Sequence, residues 1–260
     1  MRALVTNDDG IDAPGLAVLA RAARDAGYDV VVAAPAEQSS GASAAITASR
    51  REGRTPVRQV ELPGLPDVPA FAVSAQPGHI VLGALRGWLD PVPDIVLSGV
   101  NHGANVGRAV LHSGTVGAAL TASVLGRSGL AVSLDVPLVL DGERPTGDRH
   151  WDAAVPLVHR ALELLRDLPA GTVLSLNVPD RPGDAELRRA PLAPFGTVQA
   201  RVEAAQDGPW EMHEVEVPDD PRPGSDSALL AAGYATLTAL SPVAEDLSVS
   251  LNGVPGDHGQ

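Results

Sequence analysis

Short apolar runs that end abruptly in polar, glycine-bearing turns dominate the first half of the chain. Arg2-Ala3-Leu4-Val5-Thr6 reads as a buried strand and passes directly into Asn7-Asp8-Asp9-Gly10. Leu16, Leu19, Ala20 and Ala23 then recur at helical spacing, with Pro14 acceptable in the first turn. Asp29 to Ala34 is a β-branched strand stopped by Pro35, and residues 36–44 form a small-polar loop. Ala45 to Val73 reads as short strands and turns. Pro77 to Leu89 fits a helix with Ile80, Val81, Leu82, Leu85 and Trp88 on its apolar side. A strand from Pro93 to Gly99, a small apolar helix over 115–125 and a strand from Leu130 to Leu134 complete the alternation. This order predicts an α/β fold, a doubly wound and mostly parallel sheet.

The pattern breaks at Asp141 to Arg149, rich in glycine, proline and charge. An amphipathic helix follows, carrying Trp151, Val155, Val158, Ala161, Leu162 and Leu165, and then a strand from Thr172 to Val178. From about 180 the chain turns rich in Pro, Glu and Asp, and Ser225 to Leu240 returns to a short helix and a strand. The expected organisation is a core over 1–180, a projecting β-rich oligomerisation arm over 181–225, a return to the core over 226–252 and a disordered tail over 253–260.

Composition narrows the function. The 260 residues suffice for one large domain with an appendage. The chain is 44% hydrophobic but only 3% aromatic, so alanine, valine and leucine must fill the core, as suits helices packed on a parallel sheet. A net charge of −13 argues against nucleic-acid binding. Lysine is absent, which excludes a lysine grip on phosphate or a Schiff base. Cysteine is absent too, which excludes disulfides, thiolate nucleophiles and sulfur-ligated zinc. No charged-then-apolar leader opens the sequence, and no apolar run approaches the roughly 18–20 residues that span a bilayer. A cytoplasmic protein without a membrane partner is expected.

The candidate chemistry sits where strands end, the edge at which open α/β sheets bind ligands. Asp8 and Asp9 would point to opposite faces of a straight strand, so they converge only if the chain turns, and Gly10 permits that turn. Two converging carboxylates repel, and a bound hard cation is the usual remedy. The alternative is that one aspartate caps the helix and the other is solvated. Two further loops share this vocabulary: Ser39-Ser40-Gly41-Ala42-Ser43, and Ser98-Gly99-Val100-Asn101-His102-Gly103-Ala104-Asn105-Val106-Gly107 with His112-Ser113-Gly114-Thr115. Their carboxylate, hydroxyl and amide oxygens match the ligands of magnesium, manganese or calcium. Zinc fits less well, because no paired histidines stand at ligand spacing.

Ser113-Gly114-Thr115 opening a helix favours an anion; taken alone, Thr115 as an ordinary cap and the glycines as turn residues is the better account of it, and three such loops facing one point weigh against coincidence. A cation beside such a helix end points to phosphate-ester hydrolysis. The nucleophile is a bound water or the Asp8 carboxylate, and spacing does not separate the two. His102 and His112 flank the third loop as candidate general acids. His79 reads as structural, and Trp88, Trp151 and Trp210 as core or interface residues.

At these residues the chain resembles the SurE family, survival-protein phosphatases that act as 5′/3′-nucleotidases. The resemblance rests on Val5 to Gly15, on Ala34-Pro35 with Ser40 to Ser43, on Ser98 to Asn105 and on Ser113 to Ala119, with weaker echoes at Leu176 to Pro179 and Gly233 to Thr238. It spans roughly residues 1–240. It implies a Rossmann-like core and one divalent ion per subunit, Mg²⁺ or Mn²⁺, held by Asp8, Asp9, Ser40 and Asn101, with Asp8 and Asp9 also catalytic. Asn105, Ser113, Gly114 and Thr115 would lie at the phosphate, and Asn7 and Gly41 are placed with the substrate. The implied substrate is a nucleoside monophosphate or another small phosphate ester, and the implied assembly a homodimer or homotetramer formed by exchange of C-terminal elements. One segment departs from the family pattern: Ala75-Gln76-Pro77-Gly78-His79-Ile80 replaces a Gly-Thr-Pro-Ala-Asp-Cys-like stretch, with consequences for substrate preference. The alternatives are a broad acid phosphatase or exopolyphosphatase on the same site, and a catalytically silent nucleotide-binding module.

Overall fold

A computed structural model describes residues 1–39, 41, 43–49, 54–136, 149–194, 198–203, 211–216, 222–246 and 248. Its centre is a nine-stranded sheet. In chain order the strands are β1 (Arg2–Thr6), β2 (Asp29–Pro35), β3 (Val57–Leu62), β4 (Leu65–Val73), β5 (Ile95–His102), β6 (Ser128–Asp135), β7 (Val173–Pro179), β8 (Leu187–Arg189) and β11 (Ala235–Leu240). β9 (Val198–Glu203) and β10 (Glu211–Glu216) pair antiparallel in a sheet of their own. Across the large sheet the order is β3-β4-β2-β1-β5-β6-β7-β11-β8. The six strands from β4 to β7 run parallel, whereas β3 pairs antiparallel with β4 and β11 antiparallel with β7, and β8 pairs parallel with β11. The order reverses between β1 and β5, so a crevice opens beyond their carboxyl ends.

Helices cover both faces, which is why the parallel strands are apolar throughout rather than alternating. Alternation survives instead as a choice of face. Ala3 and Val5 of β1 join the cluster formed with α1 (Pro14–Asp25) and α4 (Ala154–Arg166). Leu4, between them, joins the opposite cluster with α2 (Pro77–Gly83) and α3 (Gly114–Val124). α3 is buried along most of its length by small residues such as Ala118, Ala119 and Ala122, which bring the helix close to the sheet.

The α/β reading and the mostly parallel sheet hold, and several boundaries differ. Pro35 is the last residue of β2 rather than the residue that stops it. The helix expected over 77–89 divides into α2 and a wider turn over Ala84–Trp88, because Gly87 adopts φ 95°. Trp151 lies in a 3₁₀ turn ahead of α4. The stretch 181–225 is also divided. Residues 187–189 complete the large sheet beside β11, the Ala190 amide donates to Leu237 of β11, and among the described residues of this stretch the β9–β10 pair alone forms a separate sheet. α5 (Asp226–Ala231) and β11 form the return. Trp210 and the tail 253–260 lie outside the described residues. Among the described residues no helix is long and apolar enough to cross a membrane.

Candidate active site

Thr6 of β1 lies opposite Ser98 of β5, so the segments leaving these strands emerge side by side at the order reversal. The first turns at once. Asn7 donates from Nδ2 to the Gly10 carbonyl (2.9 Å) and accepts the Gly10 amide on Oδ1 (3.2 Å), while Gly10 takes φ 102°. That bend brings Asp8 and Asp9, which a straight strand would separate, to the same cleft of about 300 Å³. Gln38, Gly41, Asn101, His102, Asn105, His112 and Ser113 line it with them.

Each carboxylate is held by a neighbour. The Thr115 hydroxyl donates to Asp8 Oδ1 at 2.5 Å, and the His102 amide donates to Asp9 Oδ2 at 3.0 Å. The Ser39 amide donates to the Asp8 carbonyl at 2.7 Å. The start of α3 presses against Asp8: a methyl group on Gly114 would lie 2.7 Å from Asp8 Oδ2, so only glycine fits. Asp8 is 6% exposed, and its pKa is pushed up to about 6. Burial is the main cause and the charge of Asp9 adds to it, while the Thr115 hydrogen bond opposes both. Among the described residues neither aspartate has an ion-pair partner.

The third loop is pinned from beneath. Asn101, Ser133, Asn177 and Thr236 occupy one register row across β5, β6, β7 and β11. From this row Asn177 Oδ1 accepts the Asn105 amide (2.8 Å), Asn177 Nδ2 donates to the Asn105 carbonyl (3.0 Å), and Ser133 Oγ accepts Asn105 Nδ2 (2.8 Å). Asn101 Nδ2 donates to the Gly103 carbonyl (2.8 Å), which leaves its Oδ1 for a cation. Asp226, 1% exposed, accepts the Gly107 amide on Oδ2 and the Ala193 amide on Oδ1, each at 2.8 Å, and so fastens the end of the loop.

The expected residues therefore divide. Asp8, Asp9, Asn101, Gly41, Asn105 and Ser113 line one cleft. Asn7 is fully buried with its amide tied into its own turn, Thr115 has its hydroxyl on Asp8, and Gly114 packs on that carboxylate instead of facing the cleft. Ser113 Oγ accepts the Val116 amide (3.0 Å) as the cap of α3. Ser40 lies outside the described residues. Ser133 and Asp226 had no role in the expected site; polar residues inside otherwise apolar strand ends, as in Leu130-Ala131-Val132-Ser133, were the available signal.

The chemistry of this arrangement is that of hard oxygen donors around a pair of unneutralised carboxylates. A family model described as Survival protein SurE matches residues 3–206. The chain belongs to the SurE family. Over 181 residues, 69% of its length, it is 42% identical to the 5′-nucleotidase SurE of Xylella fastidiosa (strain M12) and 44% identical to that of Xanthomonas axonopodis pv. citri (strain 306). The matched stretch spans 64% of the length of either relative. The crystal structure of the SurE protein from Aquifex aeolicus shares the fold, with a TM-score of 0.74 at 23% identity over 95% of this chain and 96% of that one.

Proposed function

We propose that this SurE-family chain is a metal-dependent phosphomonoesterase that converts nucleoside 5′- or 3′-monophosphates to nucleoside and inorganic phosphate. The observation that carries the reading is the pair of buried Asp8 and half-buried Asp9, each hydrogen-bonded and without a positive partner among the described residues, in a cleft shared with the start of α3. The name 5′-nucleotidase SurE, borne by the two relatives, supports the substrate class. The donors fit a divalent cation. A carboxylate whose proton affinity is raised by burial and a like charge gains from a hard cation, and the carboxylate, amide and hydroxyl groups assigned to it bind through oxygen.

In this reading Asp8, Asp9, Ser40 and the Asn101 amide oxygen hold one Mg²⁺ or Mn²⁺. When bound, the cation neutralises phosphoryl charge and lowers the pKa of an attacking water. Thr115 keeps Asp8 oriented toward the cleft. Ser113 and the first turn of α3, an eleven-residue helix, offer donors and the positive end of the helix dipole to the phosphate. His102 or His112, both on the cleft, serves as general acid toward the leaving alkoxide. Gly41 and Asn105 complete the walls around the ester. We place the protein in the cytoplasm as a homodimer or homotetramer, with the separate β9–β10 sheet as its oligomerisation arm.

Asp9→Ala tests the assignment. Turnover and cation binding are lost while the circular dichroism spectrum is unchanged; full activity in a folded variant overturns the ligand set.

A further inference from the structure

Ile80 and Val81 of α2 share a buried cluster with Ala118 and Ala122 of α3, and the segment 43–49 runs from one helix to the other. At the α3 end the Ser43 backbone rests on Gly117, where an added methyl carbon would lie 2.4 Å from the Ser43 carbonyl oxygen, and the Ser43 hydroxyl donates to the Leu111 carbonyl at 2.6 Å. At the α2 end Ala45 rests on Gly78, and His79 Nδ1 lies 2.9 Å from the Ile46 carbonyl oxygen. A carbonyl only accepts, so Nδ1 carries the proton and His79 donates. Beyond Ile46 backbone hydrogen bonds tie the segment, from Gln76 N to Thr47 O (3.0 Å) and from Ser49 N to Ser74 O (2.9 Å).

Apolar burial does not hold this strap. None of its residues is buried, and Ile46 is 60% exposed, so its placement rests on its hydrogen bonds. Ser43 needs them most, because it takes φ 52°, a left-handed conformation that no other non-glycine residue among those described adopts. The strap also reaches the carboxylate cleft. Leu111, on which Ser43 is hooked, precedes His112 and Ser113, and both of these line that cleft, as does Gly41 two residues before Ser43. We infer that His79 is a positioning residue for the phosphate side of the cleft. By fixing the α2 end of the strap it keeps Ser43 hooked on Leu111, and so holds the turn that presents His112 and Ser113. The inference rests on the phosphatase reading of that cleft, and it gives His79 a task in substrate binding rather than in its helix turn alone.

The test compares two variants. His79→Ala removes the donor, whereas His79→Asn keeps an N–H at nearly the same place, since Asn Nδ2 and His Nδ1 are both attached to Cγ. With AMP and Mg²⁺, His79→Ala should raise KM, and the inhibition constant of inorganic phosphate, by about three- to tenfold, the worth of one lost hydrogen bond. The kcat should stay within about twofold, as loss of uniform binding requires, and His79→Asn should restore both constants. Amide hydrogen exchange reads the same coupling without turnover. The Gln76 amide, bonded to Thr47, and the Ser113 amide, bonded to the Val110 carbonyl at 3.2 Å, should exchange faster in His79→Ala and return to the parent rate in His79→Asn. Unchanged constants in a folded His79→Ala protein, equal losses in the two variants, or exchange that quickens at Gln76 but not at Ser113, overturns the proposal and leaves the phosphatase intact. If the parent releases phosphate from no ester, the phosphatase reading fails by itself, and exchange at Ser113 decides the role of His79. Faster exchange in His79→Ala that His79→Asn reverses supports it, and the same rate in all three proteins overturns it.

Discussion

Replacing Asp8 by asparagine removes a carboxylate that the folded chain holds at an energetic disadvantage. Its pKa rises from 3.8 to about 6 on folding, a shift of about two units or about 3 kcal/mol. Between these values the folded protein binds more protons than the unfolded one, so the contribution of Asp8 to stability is full below pH 4 and is lost as pH rises toward 6 and beyond. Asparagine keeps an acceptor for the Thr115 hydroxyl and ends the repulsion with Asp9. In EDTA, urea unfolding at a series of pH values should therefore show the variant gaining on the parent, from near zero at pH 4 to about 3 kcal/mol at pH 7.5. The difference between the two proteins isolates this residue, because the other carboxylates titrate in both. Adding Mg²⁺ or Mn²⁺ should reverse the order: the parent gains about 2.7 kcal/mol at a cation concentration a hundredfold above Kd, and the variant gains little. A stability difference that is flat with pH, or a variant that the cation stabilises as much as the parent, refutes the account of Asp8.

Thr115→Val removes the hydrogen bond that opposes protonation of Asp8, so cation affinity at pH 6.5 should fall by about 1–2 kcal/mol and recover toward pH 8 in a calorimetric titration. Gly114→Ala puts a methyl group 2.7 Å from Asp8 Oδ2 and should lower kcat/KM by about a hundredfold in a folded protein, as expected of a carboxylate displaced by about 1 Å. Asp226→Ala strands the buried amides of Gly107 and Ala193 and should cost about 2–4 kcal/mol in urea unfolding, whereas a loss below 1 kcal/mol would show that the loop does not depend on it.

Much of this architecture is legible along the chain because the sheet is covered on both faces. Ala3-Leu4-Val5, Val30-Val31-Val32 and Ile95-Val96-Leu97 are continuous apolar runs, and each ends where polar loops begin, so strand order along the chain and the location of the loops follow together. β8 escaped notice for the opposite reason. Leu187-Arg188-Arg189 is three residues with two arginines, and its strand character comes from pairing with β11 across a gap in sequence. The carboxylate pair was visible as a motif, but what Thr115 does was not. A threonine at the start of a helix reads as a cap, and its partner Asp8 lies 107 residues away. Asp226 and Asn177 act on the third loop across 119 and 72 residues, distances at which one sequence carries no pairing signal. Asn7 is expected at the substrate, and in the fold its local hydrogen bonds make the turn that brings the two carboxylates together.

The central claim is that the Asp8–Asp9 cleft hydrolyses phosphate monoesters of nucleosides with a divalent cation. Inorganic phosphate release from AMP, first in EDTA and then with Mg²⁺ or Mn²⁺ restored, tests it most directly. The account predicts no release in EDTA and turnover when either cation returns. Undiminished release in EDTA, or none with any divalent cation from a folded protein that still binds AMP, contradicts it.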